Sequence, residues 1–299
     1  MSGKVCRGEK FFAPATVYQV LKETAAALAE AGVEDSALEA ELLLRHCLGL
    51  SRSGLFLRQN EEMPPEQAAR LHDFLRRRCQ REPLQHIIGR CEFWGMKFLV
   101  SPAVLIPRPE TEFLLEHVLS TLNRENFRPR QALDLCTGSG VIAAVLAKEL
   151  PEADVTASDC SLAALAVAQA NLRRHGLEER VRLLCADLLA AFKPTPLFDL
   201  IVSNPPYIKA DDIPRLQPEV RDWEPHLALS GGPSGMEIIE AICTGATRLL
   251  RPGGWLFLEI GADIAAETES ALRREGVYEQ ISVLPDWAGR PRAAQARLA

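Results

Sequence analysis

Long apolar runs are missing from this sequence: no stretch approaches the roughly 20 uninterrupted apolar residues that a membrane helix needs. The opening MSGKVCRGEKFFAP has no apolar core of the kind an export signal carries, so nothing suggests secretion. Paired cysteines are missing too. The eight stand singly at 6, 47, 79, 91, 136, 160, 185 and 243, several inside apolar runs such as ALDLC and VRLLC. That pattern argues for reduced core residues of a cytosolic protein rather than disulfides or a metal site. Six histidines at 46, 72, 86, 117, 175 and 226 show no metal-ligand spacing. A basic excess is also lacking. The net charge is -6, which argues against broad nucleic-acid binding. What is present, 47% hydrophobic and 25% charged residues over 299, suits a soluble protein of one large or two modest domains.

The first third has helical rhythm and almost no strand signal. Val17, Val20, Leu21, Ala25 and Leu28 fall on one helix face, and Gly32 stands where a C-terminal cap belongs. In SALEAELLLRHCLGL, Ser36 followed by Glu39 matches a capping box. PPEQAARLHDFLRRRC predicts a third helix opened by prolines, and its basic run RRRCQR reads as a solvated face. This module carries no constellation of catalytic side chains, so binding or positioning is its natural role. Residues 91–106, CEFWGMKFLVSPAVLI, alternate bulky residues around Gly95 and predict a short hairpin. A helix then starts at Pro109, with Glu110 and Glu112 near its positive end.

From about residue 130 strands and helices alternate. QALDLC, DVTASD, VRLLCAD, FDLIVSN and GWLFLEI read as strands, with helices at 139–150, 161–175 and 236–250. Such alternation argues for an α/β fold, a doubly wound and mostly parallel sheet covered on both faces. The tail YEQISVLPDWAGRPRAAQARL holds two more strand-like runs with no helix between, a closing antiparallel hairpin.

Candidate ligand contacts gather at the strand ends. LDLCTGSGVIAAVLA places Cys136, Thr137, Gly138, Ser139 and Gly140 between the first strand and its helix. Glycines there admit close backbone approach, and the helix start offers unpaired amides; a tight turn alone would also need one or two glycines. The next strand ends on Asp159, able to accept from both hydroxyls of an adenosine ribose, and the third on Asp187-Leu188, near an adenine edge. Either Asp alone could be a helix cap. Two cofactors fit. Gly138-x-Gly140-x-x-Ala143 is a permissible dinucleotide fingerprint, whereas DLCTGSG resembles the first motif of class I S-adenosylmethionine-dependent methyltransferases. There Cys136 replaces the first glycine, which is tolerable if its φ stays negative.

The fourth strand runs into Asn204, Pro205, Pro206 and Tyr207. In a doubly wound sheet the first and fourth strands adjoin, so Asn204 emerges beside Gly138. A dehydrogenase has no evident use for such a turn, but transfer to a planar nitrogen does. The Asn204 oxygen can accept one N–H and the Pro205 carbonyl the other, aiming the nitrogen in near-attack geometry. The prolines keep those acceptors rigid, and Tyr207 offers a stacking face.

Asn-Pro-Pro-Tyr is shared by DNA amino-methyltransferases and by some enzymes that modify RNA or protein amides, so it indicates the atom and not the substrate. The order EFWG, LVSPAVLIPRPETE, DLCTGSG, ASDCS, FDLIVSNPPYI, GWLFLEIG, GRPR closely resembles the protein-(glutamine-N5) methyltransferases of peptide-chain release factors, the HemK-like family, from about residue 80 to the end and more loosely before it. The resemblance implies methylation of the glutamine in a Gly-Gly-Gln loop of a release factor. By that match Cys136, Thr137, Gly138, Ser139, Gly140, Asp159, Asp187, Leu188 and Asn204 bind S-adenosylmethionine, and Asn204, Pro205, Pro206 and Tyr207 hold the glutamine. It further implies a helical substrate-binding domain at 1–90, a hairpin linker at 91–108, a methyltransferase domain at 109–299, a cytoplasmic location, and no metal, membrane or stable nucleic-acid partner. The alternatives are a nucleic-acid amino-methyltransferase, a silent adaptor and the dehydrogenase. Arg108 and Glu110 are expected to orient the hairpin or to form a helix-start ion pair. Phe93 and Trp94 are expected at the substrate mouth or in the core, and 223–237 as a loop over the site.

Overall fold

The computed structural model describes residues 15–299, which form two compact units. One comprises the chain up to Gly89 together with Pro218–Trp223; the other comprises Arg90–Gln217 and Glu224–Ala299. The opening stretch, residues 1–14, which reads as lacking an export signal, lies outside the described residues.

The smaller unit is helical: α1 Val17–Glu30, α2 Ser36–Leu48, α3 Arg52–Leu57, α4 Pro65–Cys79 and α5 Leu84–Ile88. The two shortest are too brief to leave a periodic signal. The capping box lies not at Ser36 but at the start of α1, where Thr16 and Gln19 satisfy each other's backbone N–H. Ser36 is already helical, and Glu39 cannot reach back because its carboxylate accepts from Arg78 Nε at 2.5 Å and Nη2 at 3.1 Å. The solvated reading of the basic run also fails at Arg78, whose side chain is 5% exposed. Ala68, Leu71 and Leu75 are the buried stripe of α4, and helical spacing carries that stripe on to residue 78. Arg78 Nη1 and Arg81 Nη2 donate to the two oxygens of Glu219, at 2.9 and 2.7 Å, so the segment 218–223 is built into this unit by charge.

In the larger unit β1 (Arg90–Phe93) and β2 (Met96–Leu99) form the expected hairpin. Trp94 and Gly95 turn it at φ +53 and +65, as a two-residue turn with both φ positive requires. Phe93 and Phe98 enter the core under α6 (Pro109–Arg124). The main sheet follows with β3 (Gln131–Leu135), α7 (Val141–Glu149), β4 (Asp154–Asp159), α8 (Leu162–Arg174), β5 (Val181–Cys185) and β6 (Phe198–Ser203). After α9 (Pro218–Arg221), which belongs to the smaller unit, come α10 (His226–Leu229), α11 (Glu237–Ala246), β7 (Leu250–Glu259), α12 (Ala265–Arg274), β8 (Tyr278–Pro285) and β9 (Pro291–Leu298).

The strand order is β5-β4-β3-β6-β7-β9-β8, parallel except for the pairings of β9 with β7 and β8. The expected α/β sheet and its antiparallel closing hairpin are both present. Side chains alternate along each strand. Ala132, Leu200, Val202, Trp255 and Phe257 pack with α6, α7 and α8, while Leu133, Leu135, Ile201, Leu256 and Leu258 pack with α11 and α12. Order reverses between β3 and β6, and that switch point opens a crevice at the strands' carboxyl ends. Among the described residues no helix is long and apolar enough to cross a membrane. Cys47 and Cys243 are core residues as expected, but Cys160 and Cys185 are exposed where β4 and β5 end.

Candidate active site

Strands β3 and β6 pair in parallel with Leu135 opposite Ser203, which sets residues 136–140 beside Asn204. The Ser203 hydroxyl donates to the Leu135 carbonyl at 2.6 Å and ties the two strand ends together. One cleft is lined by Cys136, Thr137, Gly138 and Ser139 from the first loop, Asp159 from the end of β4, and Asp187 and Leu188 after β5. Asn204 and Pro206 after β6 complete that set. The sequence-derived candidates therefore converge, with three exceptions. Gly140 caps α7 from behind and sits so near α8 that a Cβ would meet Ala168 at 3.1 Å. Pro205 and Tyr207 do not line the cleft either.

The first loop is held by two carboxylates. Asp134 Oδ2 accepts from Thr137 Oγ1 at 2.5 Å and from the Ala143 amide at 2.9 Å. Asp159 accepts from the Gly138 amide on one oxygen and the Ser161 amide on the other, both at 2.9 Å. Burial pushes the Asp134 carboxyl up to about 7, and its Oδ1 is buried without a hydrogen-bond partner.

Cys136 is a correction. Its φ is +62, not negative, and Gly138 and Gly140 stand at +54 and +83. The loop thus keeps a left-handed conformation at all three motif positions, one of them in a residue with a Cβ. Its neighbours over-determine it: Thr137 donates its amide to the Ser158 carbonyl at 3.0 Å and its hydroxyl to Asp134, while the Cys136 side chain packs among the apolar residues under α11. Burial drives the thiol far above its ordinary range, so it is no nucleophile. Leu188, also left-handed at φ +46, presents an aliphatic wall to the cleft.

A scan of family models matches the PrmC N-terminal domain at residues 19–89 and the methyltransferase small domain at 109–216. A release factor glutamine methyltransferase of Koribacter versatilis is 46% identical over 87% of this chain and 90% of its own. One of Moorella thermoacetica is 46% identical over 93% and 96%. The chain belongs to the release factor glutamine methyltransferase family. Among solved structures, a T. thermophilus 16S rRNA methyltransferase is similar in fold, with a TM-score of 0.51 at 24% identity over 70% of this chain and 50% of that one.

As a member of that family the chain is a methyltransferase with S-adenosylmethionine as cofactor. The cleft suits that group. A Cβ on Gly138 would meet nothing within 4 Å, so the backbone is bare where a ligand must pass. Each Asp159 oxygen spends one acceptor site on a backbone amide and keeps another for a hydroxyl. Val141, Ile142, Ala164, Leu188 and Ile238 supply an apolar lining.

Several expectations are redistributed in this methyltransferase. Tyr207 offers no stacking face to the cleft; its ring packs under α11 and near Gly261, and its hydroxyl is 3.4 Å from Glu259 Oε1. Phe93 is core, while Trp94 donates its indole N–H to Glu149 at 3.1 Å, and neither lines the cleft. Arg108 does not pair with Glu110. Its Nη2 donates to Glu224 Oε1 at 2.6 Å, joining the segments whose neighbours Pro107 and Pro225 are both cleft walls. The expected loop lies against the Asn-Pro-Pro-Tyr turn: Ile208 donates to the Leu229 carbonyl, and Gly231 to Ile208, both at 2.9 Å. A Cβ on Gly231 would stand 2.7 Å from Tyr207 Cα and 2.8 Å from the Pro206 carbonyl oxygen.

Two polar residues at the site were missed by the sequence reading. Thr111 and Glu259 are buried, linked by a 2.7 Å hydrogen bond, and joined to Asn204 and Tyr207. Both lie inside stretches that carry the resemblance, IPRPETE and GWLFLEIG, which was the available signal.

Proposed function

We propose that this chain methylates the side-chain amide nitrogen of the glutamine in the Gly-Gly-Gln loop of a peptide-chain release factor. The observation that carries the reading is the shared cleft: the loop at 136–139 and Asn204 line it from adjacent strand ends, in a chain 46% identical to release factor glutamine methyltransferases. Cys136, Thr137, Gly138, Ser139, Asp159, Asp187 and Leu188 would hold the cofactor, with Gly140 setting the start of α7. Asn204, Pro205 and Pro206 would hold the glutamine, with Tyr207 supporting them from below. The helical unit would contact the release factor away from its loop. We also infer a cytoplasmic location, supported by a substrate that belongs to translation.

An amide nitrogen is a poor nucleophile because its lone pair is delocalised. Bound S-adenosylmethionine supplies an electrophilic methyl group, so the protein has to add position. Asn204 Oδ1 would accept one N–H and the carbonyl of Pro205, which lies in the chain between the cleft-lining Asn204 and Pro206, would turn to the other once substrate is bound, fixing the nitrogen's plane and direction of approach. The prolines restrict the backbone that carries both acceptors. No strong base is needed if the proton departs after transfer.

Incubation with methyl-labelled cofactor and a purified release factor tests the proposal: label is expected on the Gly-Gly-Gln glutamine, and its absence there would falsify the substrate assignment. Asn204→Ala is expected to lower kcat by about 10²–10³-fold, with the cofactor Kd unchanged by calorimetry. Equal losses in both would make Asn204 a cofactor ligand instead.

A further inference from the structure

An Asn side chain in a cleft has two faces of opposite polarity, and only one suits a substrate N–H₂ group. If Asn204 presents its oxygen, it accepts; if the amide is turned over, donor meets donor. Something must select between them, and the surrounding hydrogen bonds supply the selection. Asn204 Nδ2 donates to Thr111 Oγ1 at 3.2 Å. Thr111, on the first turn of α6, is 2% exposed, and its single hydroxyl proton goes to Glu259 Oε2 at 2.7 Å. Toward Asn204 the Thr111 oxygen therefore offers only a lone pair. Turning the amide over would set two acceptors against each other at the same distance.

Glu259, 1% exposed at the end of β7, gives the chain its direction. Its other oxygen takes the Tyr207 hydroxyl at 3.4 Å, so once ionised, above about pH 7, it accepts on both sides, while Arg292 and Glu110 are the charged groups facing it. A neutral side chain of similar shape would be less costly to bury, but it would not impose one polarity on Thr111. Resting on the reading that Asn204 receives a substrate N–H, we propose that Thr111 and Glu259 are positioning residues. They lock the Asn204 amide with its oxygen turned to the substrate nitrogen.

Thr111→Val removes the hydroxyl at nearly constant volume and tests this, with Thr111→Ser as the rescuing variant and Asn204→Ala alongside. With methyl-labelled cofactor and purified release factor, Thr111→Val is expected to lower kcat about 10- to 100-fold. KM for the release factor, cofactor Kd by calorimetry and melting temperature should stay near wild type, and Thr111→Ser should recover most of kcat. Wild-type kcat in Thr111→Val, with Asn204→Ala impaired, overturns this inference and leaves the proposed function standing. Loss of cofactor affinity or melting temperature in step with kcat, or failure of Thr111→Ser to recover, also overturns it, since the role is then structural. Unimpaired Asn204→Ala removes the underlying reading instead. Should Thr111→Val not fold, Glu259→Gln takes its place: its amide can turn an N–H₂ toward Thr111, and the same split between kcat and KM is expected.

Discussion

Cys136 occupies a backbone conformation that favours glycine, at φ +62, and its side chain is packed. Strain and packing pull in opposite directions, so Cys136→Gly alone does not separate them. Comparison with Cys136→Ala does, because alanine loses the thiol but keeps the Cβ. The glycine variant is expected to be more stable than the alanine variant by about 1 kcal/mol, measured by urea unfolding; equal stabilities would show that the turn carries no such strain. Glu259 makes a second prediction. Burial raises its carboxyl from 4.5 to about 7, and Asp134 moves from 3.8 to about 7 for the same reason. In the unfolded chain both ionise at their ordinary values, so between roughly pH 4.5 and 7 unfolding releases protons and stability falls as pH rises. Above the folded values the decline levels off. Glu259→Gln should make the fall in melting temperature across that window shallower. A slope identical to wild type would mean that Glu259 is ionised throughout.

Among the elements, the segment 230–235 and the Asn-Pro-Pro-Tyr turn fit backbone to backbone. Gly231→Ala would push a Cβ to 2.7 Å from Tyr207 Cα, and neither side has a flexible end to give way. We expect a loss of about 1–3 kcal/mol and a drop in kcat of at least about tenfold; wild-type values for both would show that the turn adapts. In α4, Arg78→Ala leaves Glu39 and Glu219 facing each other without their shared cation. It should cost about 3 kcal/mol, whereas Arg76→Ala, at an exposed pair with Asp73, should cost under about 0.5 kcal/mol. Legibility divides along the same line. Strands β3 to β7 and their turns could be read from the sequence because apolar runs, glycines and prolines are local signals. Thr111 and Glu259 could not be derived that way, since 148 positions separate them and no short-range pattern links a helix start to a distant strand end. The buried Arg78 was legible in principle, being one more step along the stripe of Ala68, Leu71 and Leu75, but a run of like charges masked it.

For the whole molecule, residues 218–223 belong with the helices that precede residue 90. No short-range sequence signal marks this, because nothing local to 218–223 ties it to helices so far back in the chain. A fragment ending at Gly89 would keep Arg78 and Arg81 but lose Glu219. It should melt lower than a version with 218–223 joined through a flexible linker, as followed by circular dichroism; identical melting would show that the segment adds nothing. The chain therefore passes between its two units at residues 89–90, 217–218 and 223–224. A gene that inherited only its first ninety codons from another lineage would carry an incomplete helical module and leave an orphaned piece of the old one downstream. Recombination that moved the helical unit intact would have to exchange both coding segments together.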